Sequence, residues 1–358
     1  MSQRFQMFLD NSHGVAIHLH ILIKLNFHGA AKEITSILKP YIRSLRSLDV
    51  YDPGSSYWIN DLVQLCIESG TSSSLKTYKL QSYAQPVVVP GSLFSGLVNL
   101  SLSSITGTGD VSQTELAETL SGAPNLRMLQ LSKIYLYSPE GNGPVKAIHL
   151  PCLRILQLYD IHGPAKDFVP SLHPGGLELD VRLGFLATHV THRWSSASLL
   201  ARSNVISLTF HVNPCARDFG LEEVISCTPR LRSLILVAQG GVKYRVSRIG
   251  QLGMFLRAEG SNTSRLPHLL SLCFIGHPVY SDDIDWLKYI VNVTKVRLIG
   301  FLSCKFAEVR QVAELCTTMP MSFEEWLEAH VDRVVIDEVP MYQVTDGTAA
   351  VVEQFRRV

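Results

Sequence analysis

One spacing pattern of apolar residues recurs about ten times along this chain of 358 residues, and it constrains the fold more than any other feature. The pattern is an apolar residue, two variable residues, a second apolar residue, one variable residue and a third apolar residue. Pro often stands two positions before the first. The clearest copies begin at Leu126, Leu153, Leu231 and Leu269. Weaker copies begin at positions 45, 75, 97, 205, 293 and 331, and a degenerate copy ends at Leu177 and Leu179.

The end of each copy alternates with period two, which predicts a short β-strand with one buried face. Neighbouring strands that run parallel need a crossover, and the segments between the copies are long enough to supply it. Amphipathic helices are predicted at 57–69, 112–120, 221–227, 282–290 and 306–316, with Ser112 as an N-cap. When the degenerate copy is aligned at position 174, successive copies lie 21 to 38 residues apart.

Strand and helix in repeated alternation predict an α/β fold, an irregular leucine-rich-repeat solenoid. We expect a curved horseshoe with a parallel β-sheet on its concave face and helices on its convex face. Residues 1–340 would form about 10–12 irregular repeats, and residues 341–358 a C-terminal cap or a frayed tail. The alternative is an ordinary α/β domain with Leu-rich strands, which does not account for one spacing repeated so often.

Charge and hydropathy argue against nucleic-acid and membrane binding. The chain carries 32 basic and 31 acidic residues, without a basic block. Its apolar stretches are shorter than the roughly 18–20 residues that a membrane-spanning helix needs, and its first twelve residues make a poor signal peptide. Seven cysteines, an odd number without CxxC spacing, stand mostly in apolar runs. They predict reduced core thiols in a cytoplasmic or nuclear protein.

The motifs that usually carry catalysis are missing from the sequence. It contains no P-loop, complete GxGxxG, GxSxG or HExxH pattern. The acidic run 281–285 lacks the Gly and the closing Glu of an EF-hand, and we interpret it as a helix start. Glu324, Glu325 and Glu328 are interpreted as a solvated helix face. We therefore expect no catalytic residues and no cofactor.

Thirteen histidines raise the question of a metal site. His18 and His20 share one face of a predicted strand, and His189 and His192 are three positions apart. Neither pair has a carboxylate or a cysteine at a fixed nearby position, as a metal site would require. We interpret both pairs as surface or strand-end histidines and expect no metal.

The repeat pattern and the opening of the chain together resemble fungal F-box-like leucine-rich-repeat proteins. The opening reads Phe8-Leu9-Asp10-Asn11-Ser12, followed by a strand-like stretch at 15–21, a helix at 31–38 and Pro-Tyr-Ile-Arg-Ser-Leu-Arg-Ser-Leu at 40–48. The likeness covers most of residues 5–340. Its loose motifs imply a fold type and a protein-binding role, that of a substrate receptor in a ubiquitin ligase.

The F-box itself is missing from this likeness. In the family it is a helical segment of forty to fifty residues that begins with Leu-Pro and docks on a Skp-type adaptor. Such a segment does not precede Phe5. Either the sequence is a truncated gene model or it is a diverged member without the ligase link. A Skp-type adaptor is therefore expected only if an F-box lies upstream.

A partner protein is expected on the concave face, where the variable residues of each strand point. The residues at those positions are Asp49, Tyr51, Lys79, Gln81, Gln130, Gln157, Tyr159, Thr209, His211, Lys295 and Arg297, with Ser101 and Ser103 between them in the repeat order. Tyr51 and Tyr159 rank first because tyrosine is enriched in binding hot spots.

Two classes of function follow from these observations. The first is a monomeric, non-catalytic protein-interaction module. The second is a divergent α/β enzyme or small-ligand-binding protein without a recognisable motif. The second would bring titratable residues together in one cleft, whereas the first requires no enclosed pocket.

Overall fold

The computed structural model describes part of the chain: residues 15–22, 36–52, 62, 64–66, 68–69, 74–82, 95–104, 109–137, 146–162, 165–184, 196–212, 221–238, 248–257, 266–306, 323–337, 353 and 355–356. The chain divides into two compact units. The first comprises Met1–Leu177 with His192–Ser203, and the second comprises Glu178–Thr191 with Asn204–Val358.

The first unit is built mainly of parallel β-strands. Its strands are β1 (Ile17–Leu22), β2 (Leu45–Asp52), β3 (Thr77–Ser82), β4 (Asn99–Ser104), β5 (Gly109–Ser112), β6 (Met128–Tyr137), β7 (Ile148–Leu150), β8 (Ile155–His162) and β9 (Leu172–Pro174). Its helices are a 3-10 helix (Lys39–Ser44), α1 (Gln113–Ser121), α2 (Ala165–Ser171) and α3 (Ser196–Ala201). The main strands follow the order β1-β2-β3-β4-β6-β8, β5 pairs with β6, and β7 pairs with β9.

The second unit repeats this construction. Its strands are β10 (Leu179–Gly184), β11 (Val205–Val212), β12 (Ser233–Ala238), β13 (Ser271–Ile275), β14 (Pro278–Val279), β15 (Leu298–Leu302), β16 (Lys305–Phe306) and β17 (Arg333–Asp337). Its helices are α4 (Leu221–Ser226), α5 (Arg248–Arg257), α6 (Ser281–Thr294) and α7 (Phe323–His330). The main strands follow the order β10-β11-β12-β13-β15-β17, and β14 pairs with β16.

Parallel β-sheet therefore contains 13 of the described strands, seven in the first unit and six in the second. These strands do not close into a barrel. The prediction of an α/β fold with parallel strands is confirmed. Among the described residues, no helix is long and apolar enough to cross a membrane.

A tight turn with Pro at its second position precedes the strand in each of the four clearest repeats. The backbone N–H of the first motif leucine donates to the carbonyl of the residue before Pro, at 3.1 Å in three turns and 3.2 Å in the fourth. These pairs are Leu126 to Ala123, Leu153 to Leu150, Leu231 to Thr228 and Leu269 to Leu266. Because Pro fixes φ near the value that this turn position needs, one short sequence produces the same strand entry each time.

The motif residues lie in register across neighbouring strands. Leu48, Tyr78, Leu100, Leu129 and Leu156 form one such row in the first unit. Each of them is at most 2% exposed, so the spacing of the motif identifies the buried face of the sheet. In the second unit the equivalent row comprises Val181, Leu208, Leu234, Leu272 and Ile299.

Two predicted strand positions are wrong. The degenerate copy was placed on Leu177 and Leu179, but β10 pairs Val181 with Leu208 and Leu183 with Phe210, so the strand lies four residues later. The copy predicted from Val293 lies three residues later, because Ile299 pairs with Leu272 and Phe301 with Phe274. In that second case α6 continues to Thr294 and occupies the predicted first position.

The predicted helices have different outcomes. The helices expected at 112–120, 221–227 and 282–290 are present, and Ser112 is the N-cap of α1, since its Oγ accepts a hydrogen bond from the Glu115 N–H at 3.4 Å. The acidic run begins α6, where Asp283 Oδ2 accepts the Tyr280 N–H at 2.9 Å. Most of 57–69 and nearly all of 306–316 lie outside the described residues, as do the opening 5–12 and the pair His189 and His192.

Candidate functional site

The face of the sheet that carries the residues between the motif positions is called here the variable face. In the first unit these residues form two rows across β2, β3, β4, β6 and β8. The first row comprises Asp49, Lys79, Ser101, Gln130 and Gln157. The second row comprises Tyr51, Gln81, Ser103, Ser132 and Tyr159. The structure thus brings together the nine residues of the first unit that were predicted to share this face.

These two rows are mostly neutral and polar, with a tyrosine at each end of the second row, and Ser101 and Gln157 of the first row are buried. Lys79 and Gln81 are exposed, whereas Tyr51 and Tyr159 are half-buried. Neighbouring parallel strands lie about 4.8 Å apart, so five strands span roughly 20 Å. A surface of this length, carrying amide, hydroxyl and phenol groups, can hydrogen-bond along an extended segment of another protein.

His20 extends the first row by one strand. It lies beside Asp49 in the register of β1 and β2, and its Nδ1 is 3.2 Å from Asp49 Oδ2. The imidazole is 64% exposed, so the pair contributes little to stability. His18 and His20 share one exposed face of β1, as predicted. Among the described residues no group of three His, Cys, Asp or Glu side chains could hold a metal ion.

The variable face of the second unit changes from polar to apolar along the strand order. One row of this face begins with Arg182 and Thr209 and continues with Ile235, Cys273, Gly300 and Val335. The next row begins with Gly184 and His211 and continues with Val237, Ile275 and Leu302. Of the predicted contact residues, Thr209 and His211 lie here, and Thr209 is 3% exposed.

The prediction that Lys295 and Arg297 lie on the variable face is wrong. Lys295 ends α6 in the left-handed conformation, with φ at 58°. Arg297 precedes β15, and its backbone N–H donates to the carbonyl of Leu270 at 2.8 Å. The positions assigned to them belong to Leu298 and Gly300, because the strand starts three residues later than predicted.

A segment far along the chain covers this apolar part of the variable face. We call it the FR segment and define it by its described residues Glu353, Phe355 and Arg356. Phe355 is fully buried in a cluster that includes Cys273 and Leu302. Ser271 Oγ donates a hydrogen bond to the Phe355 carbonyl at 2.8 Å. The sequence predicts that residues 341–358 form a C-terminal cap or a frayed tail. The repeat pattern does not predict this contact with a sheet face.

Three charged side chains meet where the FR segment reaches β10. Asp180 Oδ2 accepts hydrogen bonds from Arg182 Nη2 at 2.8 Å and from Arg182 Nε at 3.1 Å. Arg356 Nε lies 3.6 Å from the same oxygen. Two guanidinium groups thus share one carboxylate beside His211, and Arg356 also pairs with Glu353 at 3.4 Å.

Burial, and to a smaller extent the nearby charges of Arg356 and Arg182, lowers the pKa of His211 from its usual 6.5 to about 4. The folded state therefore disfavours the charged imidazole, and the unfolded chain binds more protons between these two values. The stability that neutral His211 allows is present above pH 6.5 and is lost as the pH falls towards 4.

Lowering the pH from 7 to 5 is accordingly expected to reduce the free energy of unfolding by about 2 kcal/mol through His211 alone. Urea denaturation of the wild type and of His211→Gln at both pH values measures this contribution. In this variant, most of the difference between the free energies of unfolding at pH 7 and pH 5 should disappear. His268→Gln, which changes an exposed histidine of the same unit, is the matched control and should retain it. An equal pH response in wild type and His211→Gln would contradict the assignment.

The described cysteines are free thiols, as predicted: Cys66, Cys152, Cys227, Cys273 and Cys304. Burial raises the pKa of Cys66 and of Cys304 to about 12, and it raises that of Cys273 as well. A thiol with a raised pKa is protonated at neutral pH and is a poor nucleophile. These three cysteines therefore have the character of packing residues.

A shallow cavity of about 290 Å³ lies in the second unit near the start of its strands. It is lined by Glu178, Asn204, Ile206, Arg230, Arg232 and His268. Arg232 Nη1 is 3.2 Å from Glu178 Oε1, with both side chains about half exposed, so their attraction is screened by solvent.

No protein-family model matches this chain, and no curated protein is significantly similar to it.

Proposed function

We propose that this chain is a non-catalytic protein-interaction module that binds its partner through the variable face of the first unit. The two in-register rows carry this proposal. They place hydrogen-bonding groups at a regular spacing across five strands, with a tyrosine at each end of the second row. Repeat proteins commonly bind through such a surface, because each repeat adds one strand and one set of variable residues.

The finer form of the proposal is a leucine-rich-repeat solenoid, curved so that the variable face is concave. Four equivalent proline turns and the shared register of the motif residues support it. In this form the chain acts as a monomer in the cytoplasm or nucleus, where its cysteines stay reduced.

The experiment that tests the binding role compares partner capture by three forms of the full chain. Immobilised wild type, Tyr51→Ala/Tyr159→Ala and Tyr135→Ala are each incubated with lysate, and captured proteins are quantified by mass spectrometry. Tyr135 is the matched control, a 42% exposed tyrosine of β6 beyond both rows. We expect the double variant to bind a specific partner at least about tenfold more weakly, because hot-spot tyrosines each contribute more than about 1 kcal/mol.

Two outcomes of this comparison distinguish specific binding at the rows from nonspecific binding. A partner kept by Tyr135→Ala and lost by the double variant supports binding at the rows. Partners captured equally by all three forms contradict it, once thermal denaturation has shown that the variants are folded.

We further propose that the module is the substrate-recognition region of an F-box-type ubiquitin ligase receptor. This rests on the resemblance of the repeat and of the opening residues to that family. Reading the gene upstream of Met1 tests it directly. A helical segment led by Leu-Pro and able to bind a Skp-type adaptor would support the role, and an in-frame stop immediately upstream would exclude it for this chain.

A further inference from the structure

The FR segment contacts the variable face of the second unit through an aromatic ring and a neighbouring guanidinium. Phe355 lies over Gly300, where a Cβ atom would collide with the ring's Cζ and lie 2.9 Å from its Cε1. Any larger residue at position 300 would therefore fill the space that the ring occupies. The apolar residues around the ring are Ile235, Cys273, Ile275, Leu298 and Leu302, with Val237 and Val335 packed against them.

The guanidinium of Arg356 reaches the polar end of the same face. Its Nη2 lies 3.4 Å from Thr209 Oγ1, and its Nε lies 3.6 Å from Asp180 Oδ2. Glu353 of the FR segment is 3.4 Å from Arg356 Nη1. The aromatic pocket over Gly300 in β15 and the carboxylate of Asp180 in β10 thus lie on the same face, and a Phe followed directly by an Arg reaches both.

The contact between Arg356 and the sheet leaves polar groups unsatisfied. Arg356 Nε and Asp180 Oδ1 are both buried without a hydrogen-bond partner among the described residues. Leaving a buried polar atom without a hydrogen bond costs free energy. Among the described residues, the backbone of the FR segment is held to the sheet face by the hydrogen bond from Ser271 Oγ to the Phe355 carbonyl, without strand pairing. A segment held in this way can be exchanged for one that satisfies the same groups better.

We propose that this face is a second binding site, which takes a segment of a partner protein carrying Phe followed by Arg, and that the FR segment is its intramolecular occupant. The site differs in chemistry from the polar rows of the first unit. The proposal therefore does not depend on whether a partner binds to those rows. A partner segment with the same two residues competes with the FR segment for the pocket over Gly300 and for Asp180. Binding in trans is therefore weak until the FR segment is displaced.

The test uses the full chain and a fluorescein-labelled peptide with the sequence of residues 349–358, AAVVEQFRRV. Fluorescence anisotropy compares peptide binding to wild type and to Phe355→Ala/Arg356→Ala. We expect the double variant to bind at least about tenfold more tightly, because removing an intramolecular competitor raises the fraction of chains with an open site. A peptide in which Ala replaces both Phe and Arg is the control and should not bind.

Two further variants in the same background locate the site. Gly300→Val places a side chain where the ring packs, and Asp180→Lys reverses the charge that faces the guanidinium. Each should abolish the gain in peptide binding, whereas Tyr135→Ala, at an exposed position of the first unit beyond both rows, should leave it unchanged. If the double variant does not fold, Arg356→Ala alone provides the same comparison, with the aromatic contact kept.

Three outcomes would overturn the proposal. The peptide could bind folded wild type and double variant equally, or fail to bind the folded double variant. The third is a wild-type dimer, detected by light scattering, that the peptide dissociates. This last result would assign the face to a second copy of the chain instead of a separate partner.

Discussion

Replacing Phe301 by Ala is expected to lower the free energy of unfolding of the second unit by about 4 kcal/mol. Phe301 is fully buried in β15, stacked on Phe274 with ring centroids 5.7 Å apart. Phe306 packs against its edge at 5.6 Å. Truncation removes both ring contacts and leaves a cavity that neighbouring strands cannot close without breaking their register.

The matched control for Phe301 lies in the same register on the last strand of the unit. Ile336 pairs with Phe301 but is 40% exposed, because no further described strand follows β17. Ile336→Ala should therefore cost only about 1 kcal/mol. Urea denaturation followed by circular dichroism measures both changes. Equal losses would show that the buried row does not run through β15 as described.

The second large effect is expected where α5 approaches α6. Gly253 faces Trp286, and a Cβ at this position would overlap the ring's Cε3 and lie 2.8 Å from its Cδ2. The ring is also held by Tyr289, edge-on at 6.2 Å, and by Arg257, whose guanidinium lies 5.9 Å from its centre. Gly253→Ala must displace the ring or separate the helices, and we expect it to cost about 2 kcal/mol.

Gly250 provides an opposite expectation one helical turn earlier. A Cβ there would meet Trp286 at 3.5 Å, which is ordinary contact. Gly250→Ala should therefore stabilise the unit by roughly 0.5–1 kcal/mol, because Ala restricts the unfolded chain. Thermal denaturation of the two variants should shift the midpoint in opposite directions. Destabilisation of similar size at both positions would contradict the close approach at Gly253.

The two glycines and the aromatic row show which features the repeat pattern predicts and which it does not. The spacing of apolar residues predicts that Leu234 and Leu236 are buried, and both are. It does not distinguish Gly250 from Gly253, because their difference depends on where the Trp286 ring lies. Phe301 and Ile336 are paired in the register of β15 and β17, yet one is in the interior and the other at an edge.

The register error in the copy at Val293 has a physical cause in the length of α6. Both the copy at Val293, Val296 and Leu298 and the copy at Val296, Ile299 and Phe301 satisfy the spacing in the sequence. Local spacing cannot choose between them, since apolar residues also line the buried side of α6. The length of that helix decides, because a residue in a helix cannot also begin a strand. Lys295 and Arg297 were misplaced for this reason.

The α/β class, the parallel strands, the buried residue at most motif positions and most of the two polar rows of the first unit could be predicted from the sequence. Each of these depends on period-two alternation and on proline turns, which act over a few neighbouring residues. The packing of Phe355 and Arg356 over the variable face of the second unit could not be predicted in this way. That contact joins residues such as Ser271 and Phe355, 84 positions apart, and no local spacing specifies which distant segment a sheet face will bury.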